Sequence, residues 1–132
     1  MTNPGKYKLR FFFEWGGGCL WSGNDAATSD FGYGPLDTTD TKLPLSAETV
    51  RRCGQMADWH DTALNQAYPP DPGPWRLHEC DRFNEAVRHL LATIRAELGD
   101  QFECIDQQPE AVEDPDVDAY LTDPTGFRRR TT

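Results

Sequence analysis

The apolar residues Cys80, Phe83, Val87, Leu90, Leu91, Ile94 and Leu98 recur at steps of three and four. That spacing lines them along one stripe of an α-helix, and a stripe so long has to be buried against other elements. Gly99 stands where a helix-ending residue belongs. Upstream, Ser46 precedes Ala47-Glu48-Thr49, placing a capping oxygen and a first-turn carboxylate where free backbone N–H groups and the positive end of the helix dipole want them. The apolar positions Val50, Cys53, Met56, Ala57, Trp59, Ala63 and Leu64 keep helical spacing to about Gln66, with Gly54 weakening the middle. Between the two helices runs Tyr68-Pro69-Pro70-Asp71-Pro72-Gly73-Pro74-Trp75, whose prolines fix φ and push their predecessors toward extended backbone. The spacing predicts two helices joined by a stiff, extended connector.

Strands come before and after them. From Lys6 to Trp15 the chain alternates, with Tyr7, Leu9, Phe11, Phe13 and Trp15 on one side and Lys6, Lys8, Arg10, Phe12 and Glu14 on the other. Gly16-Gly17-Gly18 breaks this strand and Cys19-Leu20-Trp21 supplies a second, so a β-hairpin is expected. Residues 24–42 hold few large apolar groups, and a long irregular segment pinned by Phe31, Tyr33 and Leu36 is expected, a kind of loop that often carries function. Phe102-Glu103-Cys104-Ile105 reads as a closing strand. The order β-β-α-α-β predicts an α+β fold, two helices packed on one face of a small, mainly antiparallel sheet with the first strand central. Phe12, on the other face, then needs cover from a loop, the tail or a partner. With 132 residues, one domain is expected, over 1–106. Residues 107–132 form an acidic, proline-containing tail, disordered or loosely docked through Val117, Tyr120 and Leu121. Arg128-Arg129-Arg130 either folds back on the tail's acids or ends the chain without structure.

Motifs of catalysis are missing. Gly16-Gly17-Gly18 follows a strand but leads into no helix, so it reads as a turn and not as a phosphate cradle. Four residues beyond His78 stands Arg82, not the second histidine of a zinc protease. Ser22 lacks the upstream glycine of a nucleophile elbow, Cys19 shows no sign of activation, and His60, His78 and His89 read as surface or boundary imidazoles. Cys19, Cys53, Cys80 and Cys104 are spread among apolar neighbours with no Cys-x-x-Cys pair, which favours free thiols in a reducing compartment over disulfides or zinc. No metal or cofactor is expected. No apolar stretch approaches the ~20 residues of a membrane span, and the first residues lack the apolar region of a secretory signal, so a cytoplasmic protein away from membranes is expected.

Charge is the stronger clue. Thirteen Lys and Arg against twenty-two Asp and Glu give −9, which argues against direct nucleic-acid binding. An apolar fraction of 37% and a mean hydropathy of −0.71 are compensated by fifteen aromatic residues. Between Gly99 and Asp123 lie nine carboxylates, Asp100, Glu103, Asp106, Glu110, Glu113, Asp114, Asp116, Asp118 and Asp123, and no Lys or Arg. Such a block accelerates association with a basic partner, or simply solvates a tail. Asp58-Trp59-His60-Asp61, together with Tyr68 and Trp75, offers aromatic rings flanked by acids, which either form a recognition platform or cap the helix pair.

At Phe12-Phe13-Glu14-Trp15-Gly16-Gly17 and Tyr68-Pro69-Pro70-Asp71-Pro72-Gly73-Pro74-Trp75 the chain resembles uncharacterised small acidic bacterial proteins, over most of residues 6–106. The resemblance brings no activity and no site residues. From size, charge and missing chemistry the first expectation is a non-enzymatic protein that neutralises a basic partner, as an immunity protein does a cationic toxin. Its binding residues would be Asp58, Trp59, Asp61, Tyr68, Trp75, Glu110, Glu113, Asp114, Asp116 and Asp118. The alternatives are a small-molecule or enzymatic site between loop 24–42 and the helix pair, an acidic mimic of nucleic acid, and a homo-oligomer that covers Phe12.

Overall fold

The computed structural model describes residues 4–128. In chain order the elements are β1 (Tyr7–Phe11), β2 (Leu20–Ser22), α1 (Asp25–Phe31), α2 (Ala47–Asp61), α3 (Leu77–Leu98), β3 (Phe102–Asp106) and α4 (Val117–Thr122). The class is α+β, as expected. The strands lie in the order β2-β1-β3, with β1 central. β1 and β2 form the antiparallel hairpin, Leu9 opposite Ser22 and Phe11 opposite Leu20. β1 and β3 run parallel, with Leu9 opposite Cys104, so the sheet is mixed and not mainly antiparallel. A parallel pair needs a long crossover, and the helices of residues 25–98 supply it. The element order differs as well, because α1 and α4 are additional helices.

The stripe of α3 is buried as its spacing requires: Cys80, Phe83, Val87, Leu90, Leu91, Ile94 and Leu98 all point inward. They meet Leu9 and Phe11 of β1 and Cys53, Met56 and Ala57 of α2 in one core. α2 starts at the expected cap, where Ser46 Oγ accepts from the Thr49 N–H at 3.1 Å. Glu97 of α3 ties that end down, accepting from the Ser46 N–H at 2.7 Å and from Thr49 Oγ1 at 2.6 Å. These bonds, Thr49's first, hold the Glu97 carboxyl below its ordinary pKa. α2 stops at Asp61 and not near Gln66, because Asn65 reorganises the chain beyond it. Its Oδ1 accepts from the Ala67 and Tyr68 N–H groups, and its Nδ2 donates to Pro72 O at 2.9 Å. The proline connector is therefore folded back on the end of α2, with a turn closed by Asp71 N–H to Tyr68 O at 2.9 Å, and is not a straight spacer.

Two further expectations need correction. Residues 24–42 are not wholly irregular: Asn24 Oδ1 caps α1 by accepting from the Ala27 N–H, and Phe31 carries that helix onto Tyr7 and Phe102. β1 ends at Phe11, so the alternation that placed Trp15 with the core side chains no longer governs it, and Trp15 is 52% exposed. Phe12 finds its cover inside the hairpin, where its ring stacks on Trp21 at 5.5 Å and Arg10 lies over it at 5.3 Å. Residues 110–118 lie along α3 and its N-cap. Asn84 donates to Ala111 O at 2.9 Å and accepts from the Ala111 N–H at 2.8 Å, and Val117 is buried while Leu121 is exposed. Of the arginine run, Arg128 donates to Phe127 O, and Arg129 and Arg130 lie outside the described residues.

Candidate functional site

At the C-terminal end of α2 the chain brings an exposed aromatic, a buried imidazole and two carboxylates to one cleft. His60 sits on the last turn of the helix and is only 9% exposed. Its ring stacks on Trp15 at 4.1 Å and on Phe13 at 5.4 Å, and Phe83 of α3 lies 6.0 Å away. His60 Nδ1 is buried without a hydrogen bond, standing 3.5 Å from Asp61 Oδ1 outside hydrogen-bonding geometry. Burial lowers the His60 pKa below the ordinary value, and the neighbouring Asp61 opposes that more weakly. Burial thus favours the neutral imidazole over the charged one. Asp61 also accepts from the Gly16 N–H at 3.2 Å, which fixes the turn after Trp15 against the helix end.

The cleft measures about 290 Å³, with Trp15, His60, Trp75 and Phe83 along its wall and Glu110 and Asp114 in its lining. The stretch of tail from Gln108 to Asp114 forms one side of it. Gln108 anchors that stretch by accepting from the Phe13 N–H through Oε1 at 2.8 Å. Arg88 donates to Glu110 at 3.3 Å, and Arg76 lies 3.5 Å from Glu113 and 2.8 Å from Asp118. The basic residues of α3 and its N-cap thus hold the acidic segment in place, a role that charge counting along the sequence does not reveal.

The residues picked out from the sequence are distributed unevenly. Glu110 and Asp114 line the cleft, Asp61 lies beside it on the Gly16 N–H, Glu113 and Asp118 are bound to Arg76, Asp116 precedes α4, and Asp58 lies on the exposed side of α2. Trp75 is buried and donates through Nε1 to Thr62 Oγ1 at 2.9 Å, while Trp59 is half-buried against Trp75 and Phe83 with Arg82 over its ring. Tyr68 is 58% exposed and faces a different hollow, with Pro70, Asp71, Pro124 and Phe127. The three rings do not form one exposed surface. Trp59 and Trp75 join the helix pair, and Trp15, assigned to the core from its alternation, takes the exposed place instead. The His60-Asp61 pair after Trp59 was the one local signal for this end of the helix.

Covalent chemistry finds little support. All four cysteines are free and buried. A hydrogen bond with Cys53, burial and the Asp37 charge push the Cys19 thiol well above its ordinary range, and burial pushes Cys104 up to about 11, so both are poor nucleophiles. Cys19, Asp37 and Cys53 do bring their ligand atoms within 4.8 Å of one another, a grouping invisible to spacing rules because the residues are far apart in sequence. Among the described residues, no helix is long and apolar enough to cross a membrane.

The chain matches no curated protein. Residues 7–106 match the family described as Serratia CdiI immunity protein-like. The matched stretch runs from the first residue of β1 to the last of β3, and so takes in the hairpin, the crossover helices and the His60 end of α2. It is more specific than the likeness to uncharacterised acidic proteins and, unlike that likeness, attaches a role. The chain belongs to the Serratia CdiI immunity protein-like family.

Proposed function

We propose that this chain is a cytoplasmic immunity protein that binds and neutralises a basic protein toxin without catalysing a reaction. The observation that carries the reading is the family match over residues 7–106, which fits an immunity-like role and a protein partner. The net charge of −9 supports the basic character of that partner. In this mechanism the acids Asp58, Asp61, Glu110, Glu113, Asp114, Asp116 and Asp118 steer the approach. The cleft beside Trp15 and His60 then takes a partner side chain out of water, with Trp59 and Tyr68 contributing at its margins. Trp75 acts from beneath by holding the helix pair.

The test is capture of the tagged protein's partner from its source, followed by expression of that partner in cells with and without this chain. Restored growth is the expected result. Charge reversal at Glu110, Asp114 and Asp118 together is expected to slow association about tenfold or more and to flatten its salt dependence. Unchanged association would remove the steering mechanism. A captured DNA-processing protein whose channel the chain occupies would point instead to mimicry of nucleic acid.

A further inference from the structure

We propose that Cys19, Asp37 and Cys53 form a zinc-binding site. The inference concerns the isolated chain and does not rest on the immunity reading. The three residues come from separate parts of the fold: Cys19 from the entry to β2, Asp37 from the segment between α1 and α2, and Cys53 from the inward face of α2. Both cysteines are fully buried and Asp37 is 9% exposed. Two thiols and one carboxylate make a borderline-soft donor set that suits zinc better than calcium or magnesium.

The geometry is already that of a coordination edge. Cys19 Sγ and Asp37 Oδ2 are 3.5 Å apart. A tetrahedral ion with about 2.3 Å to sulfur and about 2.0 Å to oxygen needs a sulfur–oxygen edge of about 3.5 Å. The carboxylate is aimed by its other oxygen, since Oδ1 accepts from the Cys19 and Leu20 N–H groups, each at 3.1 Å. Such outer hydrogen bonds are what orient a ligating carboxylate. Gly18 makes room for it, because a Cβ there would stand 2.5 Å from Oδ1 and 2.6 Å from Pro35 Cβ.

Charge favours the ion over the other fates of two neighbouring thiols. Among the described residues no lysine or arginine pairs with Asp37, so its buried carboxylate lacks a counter-charge. A Cys19–Cys53 disulfide would also take away the thiol that donates to Oδ2. Zinc replaces both thiol protons, which pass to solvent, and sets two positive charges against two thiolates and the carboxylate. Three protein ligands leave a fourth position for water. The site would fasten β2 and the Asp37 loop to α2.

The experiment uses the full chain, reduced with a phosphine, stripped with a chelator and titrated with Co(II) and then Zn(II). One Co(II) per chain with thiolate-to-cobalt absorption is expected, displaced by Zn(II), together with a rise in Tm on adding zinc. Cys53→Ser is expected to remove part of the absorption, and Asp37→Asn, which preserves shape, to keep it while weakening zinc binding about tenfold or more. Circular dichroism reports whether each variant is folded, and Asp37→Asn serves if the cysteine variants are not. Folded wild-type chain that shows no cobalt–thiolate absorption overturns the proposal. So does absorption that survives unchanged in Cys53→Ser, or a reduced chain that takes up no metal and oxidises to a Cys19–Cys53 disulfide.

Discussion

The two ends of α2 are built on opposite rules. At the N-terminal end the N–H and hydroxyl groups of Ser46 and Thr49 all have partners, because Glu97 accepts from both residues and Ser46 caps the helix. At the C-terminal end a buried imidazole nitrogen is left without one, an indole stands half in water on top of it, and acids line the opening. Satisfied polar networks fix a structure, whereas an unsatisfied buried group beside an open cleft has lost stability that an incoming donor or acceptor can restore. Under the proposed function, the satisfied end serves stability and the open end serves binding.

The aromatic floor under the C-terminal end gives the largest way to break it. Phe83 touches the rings of Phe13, Trp59, His60 and Trp75 and is almost wholly buried. Phe83→Ala is expected to cost about 3–5 kcal/mol in urea unfolding, since the rings around it cannot all collapse into the space. A loss below about 1 kcal/mol would mean that this end is loosely packed and that the cleft is not a preformed feature. At the other end, Glu97→Ala removes the acceptor of three hydrogen bonds and is expected to cost about 2 kcal/mol. The bonded carboxylate titrates below its ordinary pKa, so its contribution is present at neutral pH and fades as pH falls through the acid range. Unfolding of Glu97→Ala should accordingly lose part of the wild-type pH dependence below about pH 4.5.

His60 tests the same contrast near neutrality. Its folded-state pKa is depressed by burial, so the unfolded chain takes up the proton first as pH falls below the ordinary value of about 6.5. Its contribution is complete above that value and declines below it. Wild type should therefore lose stability between pH 7 and pH 5.5 relative to His60→Gln, as read by urea midpoints. Parallel curves for the two proteins would show that the imidazole is well solvated and that the ends of α2 differ less than their hydrogen bonds suggest.

Much of this contrast was legible in the sequence on the side that obeys periodicity. The stripe of α3, the Ser46 cap and the β1–β2 hairpin follow from local spacing and capping chemistry, and the structure repeats them. The parallel β3 was not legible, because strand direction depends on how the crossover helices return the chain. α1 was hidden by a segment of Asp, Thr and Ala whose helix forms through the Asn24 cap and through Phe31 packing on Tyr7. The cleft was half legible. Asp58-Trp59-His60-Asp61 pointed to this region, but helical spacing ran past Asp61 to about Gln66, and Trp15 was assigned inward by an alternation that continued past the end of the strand. The grouping of Cys19, Asp37 and Cys53 had no sequence signal, since it exists only once β2, a loop and α2 converge.

The smallest effect on stability falls on the residue that the comparison makes most important for binding. Trp15 is 52% exposed and rests on His60 at 4.1 Å, so Trp15→Ala removes one exposed stacking contact and should cost under about 1 kcal/mol. If the C-terminal end of α2 is the binding end, the same substitution weakens a captured partner about tenfold or more, because a large ring at the mouth of a preformed cleft contributes most once water is driven out. Glu97→Ala, measured under conditions where it remains folded, should leave that affinity within about threefold, its site being at the other end of the helix. A Trp15 variant that loses as much stability as the Glu97 variant and keeps full affinity would reverse the assignment. The orphaned imidazole would then be a packing defect of an ordinary structural corner, and the acids farther along the tail would have to carry recognition without it.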